Sequence, residues 1–275
     1  QMSMKKDELR DKAAPVITTA QVIRFGKILS IFAHKLGKEA DEIEYKSDIK
    51  KFTEALNKYS WDNDSGYYSY VLHDESYEPT VKYVTEKGEN LNKGLDGIYP
   101  IIAGVCDKNQ SEKIIGHLTN EKEMHSPFGI SAVDMTASYY MVNGYWNGNI
   151  WFPHQWFIFK SMLDMGRGDI ARDIAHMALD IWKREVDSSY YTFEMVNTVT
   201  GCGGWFHNFG GLSTPINMWF KAYYCPGTVN VGFDTFIEKY EFNKDFTEAV
   251  ITFTYYGDKE KFNLLCVMNE KCGYT

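Results

Sequence analysis

Apolar residues recur at three- and four-residue steps along 18–36, on Val22, Phe25, Ile28, Leu29, Phe32 and Leu36. That period predicts an amphipathic helix, with Thr18 and Gln21 in capping-box register and Gly37 as a stop. A second helix is predicted over 38–59 on Tyr45, Ile49, Phe52 and Leu56, and the short link makes the two antiparallel neighbours. Residues 61–72 put turn formers before an alternating aromatic run, a tight turn entering a strand. Further helices are predicted at about 96–105, 110–118, 153–165, 169–184 and 214–224, with Pro153 and Pro215 in first turns. Arg167-Gly168-Asp169 spells an adhesion tripeptide. Here it reads as a joint, with Gly166 and Gly168 ending one helix and Asp169 capping the next. Beyond Pro226 the period changes to two, over 228–233, 249–256 and 262–268, which predicts a small β module. The pattern begins and stops abruptly, so the expectation is a piece of a longer polypeptide. Its helical part would run over 1–227 and the start of a β domain over 228–275.

Composition narrows the functional classes. With 29 Lys and Arg against 37 Asp and Glu, the net charge is −8 and no basic stripe is visible, which disfavours nucleic acid. No apolar run is seen to approach the roughly 20 residues that span a bilayer, and residues 1–12 are polar rather than signal-like. A soluble, cytoplasmic protein is expected. Five scattered cysteines without a CxxC pair suggest reduced thiols, not a disulfide framework or zinc site. Asp62, Asp64 and Gly66 faintly resemble a calcium loop but lack its later acidic ligands, so no metal is expected. Gly-rich phosphate loops, GxSxG elbows and HExxH helices are not found. The aromatic share of 16% raises the prior for carbohydrate chemistry modestly, since large helical cores also collect aromatics.

Two stretches could carry chemistry. In 144–151, Gly-Tyr-Trp-Asn-Gly-Asn-Ile-Trp, two indoles surround Gly148, whose missing Cβ would let backbone approach a ligand. Such rings can wall a sugar pocket or pack an ordinary core. In 190–197, Tyr-Tyr-Thr-Phe-Glu-Met-Val-Asn, Glu194 is a lone charge among apolar neighbours, costly unless it faces a pocket or a structural partner. Glycoside hydrolysis by inversion needs two carboxyl groups roughly 6.5–9.5 Å apart, one to protonate the leaving oxygen and one to activate water.

Four motifs occur in order: Leu95 to Gly104, His125 to Ile130, Tyr145 to Trp151, and Tyr191-Thr192-Phe193-Glu194 with a following Thr-Gly. Over about residues 10–225 the chain thereby resembles glycoside hydrolase family 63 and its mannosylglycerate-hydrolase-like and trehalase-like relatives. The resemblance implies a mainly α fold, an incomplete (α/α)6 toroid of helical hairpins followed by the small β module. It also implies inverting hydrolysis of α-glycosidic, often α-glucosidic, linkages without a cofactor, on an oligosaccharide or glycoside. By motif, Glu194 looks like the general base, while Tyr145, Trp146, Gly148 and Trp151 look like walls of the sugar subsite. Phe128 and Gly129 would flank it, and His154 and Gln155 would offer polar contacts. The family's general-acid aspartate motif has no match in 1–94, and Ser65-Gly66 continues into Tyr-Tyr. The family's Asn-Phe-x-Trp-Ser/Thr stretch appears as His207-Asn208-Phe209-Gly210-Gly211-Leu212-Ser213, and Asn147 stands where relatives carry arginine. A full toroid has about twelve helices. Fewer are predicted here, so the acid and the earlier hairpins are expected upstream on the same polypeptide, and this stretch alone is expected to be close to inactive. A glycan-binding protein on a degenerate scaffold is the competing reading. A polysaccharide lyase or cyclase lacks its abstraction set or acidic cluster here.

Overall fold

In a computed structural model, which describes residues 12–269, the chain folds as two units, 12–126 with 131–148 and 127–130 with 149–269. The stretch 1–11, the final residues 270–275 and Cys272 among them lie outside the described residues.

In the first unit, β1 (Ala13–Ala14) leads into α1 (Val16–Lys35), and Gly37, at φ +66°, turns the chain into α2 (Glu39–Ala55). Helix α1 begins just after the extended Pro15, so Thr18 lies inside the helix and the predicted capping box is not its start. The predicted stripe of Val22, Phe25, Leu29, Phe32 and Leu36 is exposed, whereas Val16, Ala20, Ile23, Ser30 and Ala33 are buried. Small side chains decide this, because they let neighbours approach closely. At Gly26 a Cβ would stand only 3.0 Å from Ile49 of α2. By length and composition α1 could also cross a membrane, against the expectation that no run reaches that length.

After α2 the helix widens into a π turn, Leu56–Ser60. Strands β2 (Trp61–Asp62) and β3 (Tyr67–Tyr68) then form a hairpin closed by Asp62, whose Oδ2 accepts from the Ser65 N–H at 3.1 Å and the Ser65 hydroxyl at 2.5 Å. Strands β4 (Val71–His73) and β5 (Pro79–Lys82) complete an antiparallel sheet in the order β1-β4-β5. The helix predicted over 96–105 is a 3-10 turn, Asp96–Ile98, and one α turn, α3 (Tyr99–Ile102), ended by Gly104 at φ +66°. Helix α4 (Lys108–Leu118) starts earlier than predicted because Asp107 and Gln110 form its capping box. Strand β6 covers His125–Ser126.

The second unit comprises β7 (Gly129–Ile130), α5 (Phe152–Asp164), α6 (Gly168–Ser189), β8 (Phe193–Val196), β9 (Gly203–His207) and α7 (Gly210–Tyr224), followed by four strands. Its core is aromatic: fully buried Trp219 has the rings of Phe152, Trp156 and Phe159 at 6.2, 5.8 and 6.2 Å. Helix α6 outruns its predicted end, and Asp169 pairs with Arg167 at 2.7 Å instead of capping the helix. Pro215 falls inside α7, not in its first turn. The four strands are β10 (Thr228–Val231), β11 (Thr235–Phe242), β12 (Ala249–Tyr255) and β13 (Leu264–Val267), paired β10 with β13 and β11 with β12. Strand β11 escapes the period-two pattern because Glu238, Lys239 and Glu241 interrupt it on an exposed ribbon. These strands are fastened to the helices: Asp164, at the end of α5, accepts from the N–H groups of Phe233 at 2.6 Å and Asp234 at 3.0 Å. Among the described residues Cys106, Cys202, Cys225 and Cys266 are free thiols.

Candidate active site

Glu194 sits in β8 with neighbours on both sides. Strand β9 pairs along one edge, and on the other Ile150 and Val196 exchange backbone hydrogen bonds at 2.8 and 3.0 Å. Between the pairs Phe193–His207 and Met195–Gly204 the register slips, so Glu194 alone faces both Trp205 and Phe206. Such a bulge re-aims side chains and interrupts the ladder. Glu194 is 6% exposed, flanked by buried Met195 and Val196. A carboxyl at that depth is costly for a site with no use for it.

Segments far apart in sequence converge on this strand within the second unit. Gly129 takes φ +145°, a backbone region that favours glycine, and a Cβ there would lie 3.2 Å from Ile150. Buried Gln155 grips the next residue with both ends of its amide: Oε1 accepts from the Ile130 N–H at 3.0 Å, and Nε2 donates to the Ile130 carbonyl at 2.9 Å. Its amide is thereby taken up in support, not held out as the polar contact expected from its position. Half-buried His154 stands in the first turn of α5. Trp151, 1% exposed at the start of that helix, has its indole inside the unit's core and so builds no open wall in this structure.

A clamp from the last turns of α6 escaped the sequence reading, which ended that helix at Arg184. The Arg184 guanidinium lies 5.1 Å from the Phe128 ring centroid and donates to the Gly201 carbonyl at 2.6 Å. Next to it, Glu185 Oε1 accepts from the Gly203 N–H at 3.0 Å. Phe193, adjacent to Glu194, lies over Gly203 so tightly that a Cβ there would be 2.0 Å from Phe193 Cδ2. The Gly201-Cys202-Gly203-Gly204 run was the available signal, since glycine clusters mark backbone that other groups approach closely.

Tyr145, Trp146 and Gly148 belong to the first unit. The Tyr145 and Trp146 rings meet edge to face at 5.5 Å, and Trp146 is 43% exposed. Gly148 is needed by its own loop: a Cβ would fall 1.8 Å from the Met141 carbonyl oxygen. The expectation that it clears space for a ligand is therefore replaced by a local fold-back. Asn147 donates to the Tyr139 carbonyl at 2.7 Å in the same loop.

The first unit also holds a polar cleft of about 350 Å³ lined by Asp62, Asp64, Glu89, Asn90, Lys93 and Asp134 among others. Lys93 bridges Asp134 at 2.9 Å and Glu123 at 3.2 Å. Burial opposes ionisation of Asp134, but hydrogen bonds from Lys93 and Thr136 outweigh it and hold the carboxyl below its ordinary value. Among the described residues no group of three or more His, Cys, Asp or Glu is placed to hold a metal ion.

A family model of the mannosylglycerate hydrolase MGH1-like glycoside hydrolase domain matches residues 3–210. Among solved structures, the chain is similar to a GH63 mannosylglycerate hydrolase from Thermus thermophilus in complex with glucose. The TM-score is 0.62 at 20% identity, covering 76% of this chain and 48% of that one. It is similar too to the neutral trehalase Nth1 from Saccharomyces cerevisiae, with a TM-score of 0.62 at 16% identity, covering 79% and 39%. At these identities the likeness is one of fold: part of an (α/α)6 toroid with a small β module. The chain spans about half the length of the mannosylglycerate hydrolase structures it matches. No curated protein matches the sequence.

Proposed function

The chain belongs to the MGH1-like glycoside hydrolase family, and we propose on that premise that it forms part of an inverting α-glycosidase whose general base is Glu194. The observation that carries this reading is the setting of Glu194, a nearly buried carboxyl at a strand irregularity, pinned by Ile150 on one side and β9 on the other. Inverting hydrolysis asks one carboxylate to take a proton from water as its oxygen attacks the anomeric carbon, while a second group protonates the departing oxygen. A base in that role gains from rigid backbone support, because small displacements of a reacting group are expensive. Arg184 and Glu185 supply such support through the turn at Gly201 and through Gly203 of β9, which pairs with β8. Within the second unit, Phe128, Gly129 and His154 are proposed to border the site; Tyr145 and half-exposed Trp146 of the first unit are proposed as sugar contacts by motif alone. Trp151 and Gly148 are assigned supporting parts. The substrate class is an α-linked oligosaccharide or glycoside. No cofactor enters the reaction, and the proton donor is a carboxyl that this stretch of sequence does not identify by motif.

The test is Glu194→Gln in the intact protein, assayed on α-linked disaccharides and glycosides. Turnover should fall by about 100-fold or more with the fold unchanged. A loss smaller than about tenfold overturns the assignment. A second reading, a glycan-binding protein on a degenerate scaffold, is favoured by the altered stretch 207–213. Saccharide binding by calorimetry without hydrolysis in the intact protein would establish that alternative.

A further inference from the structure

Opposite Glu194 the slipped register opposes two residues of β9 to one of β8. Trp205 takes φ +61°, a left-handed backbone that a bulky side chain adopts only where the surroundings impose it. Consecutive residues of a regular strand point to opposite faces. Here the extra residue brings consecutive rings together instead: Trp205 and Phe206 stack at 16° between planes, with centroids 6.3 Å apart. They are 62% and 68% exposed. Packing within the second unit therefore leaves most of both rings uncovered, although the backbone is bent to align them.

We propose that Trp205 and Phe206 form a stacking platform for a sugar ring of a neutral saccharide, the unit flanking the linkage to be cut. The chemistry is that of an aromatic face, whose π electrons attract the polarised C–H bonds on the flat side of a pyranose. A nucleobase could stack on the same rings, but the net charge of −8 repels its phosphates, and the neighbours Gly204 and His207 add no fixed positive charge. The placement beside the scissile linkage rests on the reading of Glu194 as base; the stacking itself does not.

The experiment uses the intact protein with an α-linked glucose disaccharide and tetrasaccharide as probes. Binding is followed by intrinsic fluorescence and calorimetry in wild type, Trp205→Ala, Trp205→Tyr and Phe206→Ala. Phe206 has an ordinary backbone, so its truncation tests the platform even if Trp205→Ala folds poorly. The expected result is a five- to twenty-fold weaker binding of the tetrasaccharide in both alanine variants, rescue by Trp205→Tyr, and a rise in KM with kcat within about threefold. Equal binding by wild type and both alanine variants overturns the platform, as does failure of wild type to bind either probe. Glu194→Gln separates the two proposals: lost turnover with retained binding supports both. Retained turnover alongside weakened binding in Phe206→Ala removes the base and leaves the platform standing.

Discussion

Adjacent glycines at the start of β9 offer a discriminating test of how Glu194 is held. A Cβ on Gly203 would stand 2.0 Å from Phe193 Cδ2, 2.2 Å from its Cγ and 2.7 Å from its Cβ, whereas the nearest atom to a Cβ on Gly204 is Met195 Cε at 3.8 Å. Neither glycine has a positive φ, so alanine meets no backbone penalty at either position. Rotating the Phe193 ring cannot relieve Gly203→Ala, because the Phe193 Cβ is itself too close. Strands β8 and β9 must part beside Glu194. Overpacking of this kind costs about 1–3 kcal/mol, and displacing part of a packed phenyl ring adds about 1 kcal/mol. Gly203→Ala should therefore destabilise by about 3 kcal/mol, a fall of roughly 6–12 °C in Tm. Gly204→Ala should be neutral or gain about 0.4–1 kcal/mol from a less flexible unfolded chain. Urea denaturation followed by near-ultraviolet dichroism measures both. If Glu194 is the base, kcat/KM in the intact protein should fall by about 100-fold for Gly203→Ala alone, as expected for a reacting group displaced by about 1 Å. Two variants within about 0.5 kcal/mol of each other would refute the packing argument, since differences of that size are what unremarkable sites give.

Two further outcomes follow from the ion pairs. Asp134→Asn should cost about 1–3 kcal/mol, less than a fully orphaned partner because Lys93 keeps Glu123 at 3.2 Å. The Asp134 carboxyl is held below its ordinary value near 3.8, so the folded state binds fewer protons than the unfolded one. The advantage of wild type over Asp134→Asn in thermal melts should be full above that value and shrink as pH falls through and below it; a gap that widens with acid contradicts the pairing. Arg184→Ala removes a charged hydrogen bond and an exposed cation–π contact, together about 1–2 kcal/mol, and should speed labelling of the exposed Cys202 thiol in the turn it clamps. An unchanged labelling rate would show that the turn holds without it.

Much of the architecture is written in local pattern. The helices, their antiparallel hairpin and the change to strands past Pro226 follow from period and punctuation, which depend only on residues a few positions apart. The ordered motifs that place the chain in its family were legible as well. What pattern leaves open is which apolar surface a neighbour covers. Along α1 the bulky stripe of Phe25, Phe32 and Leu36 is exposed, while Ala20, Ser30 and Ala33 admit close packing. Trp151 and Trp146 look equivalent in sequence, yet one is buried in the core and the other half open, because Trp151 starts a helix whose other residues surround Trp219. Gly148 reads as room for a ligand and proves to be room for its own loop. The clamp from Arg184 and the slipped pairing at Glu194 join residues separated along the chain, and the Trp205 and Phe206 rings are aligned within that slipped pairing. Burial and register are properties of the neighbour as much as of the residue, so only the folded arrangement could decide them.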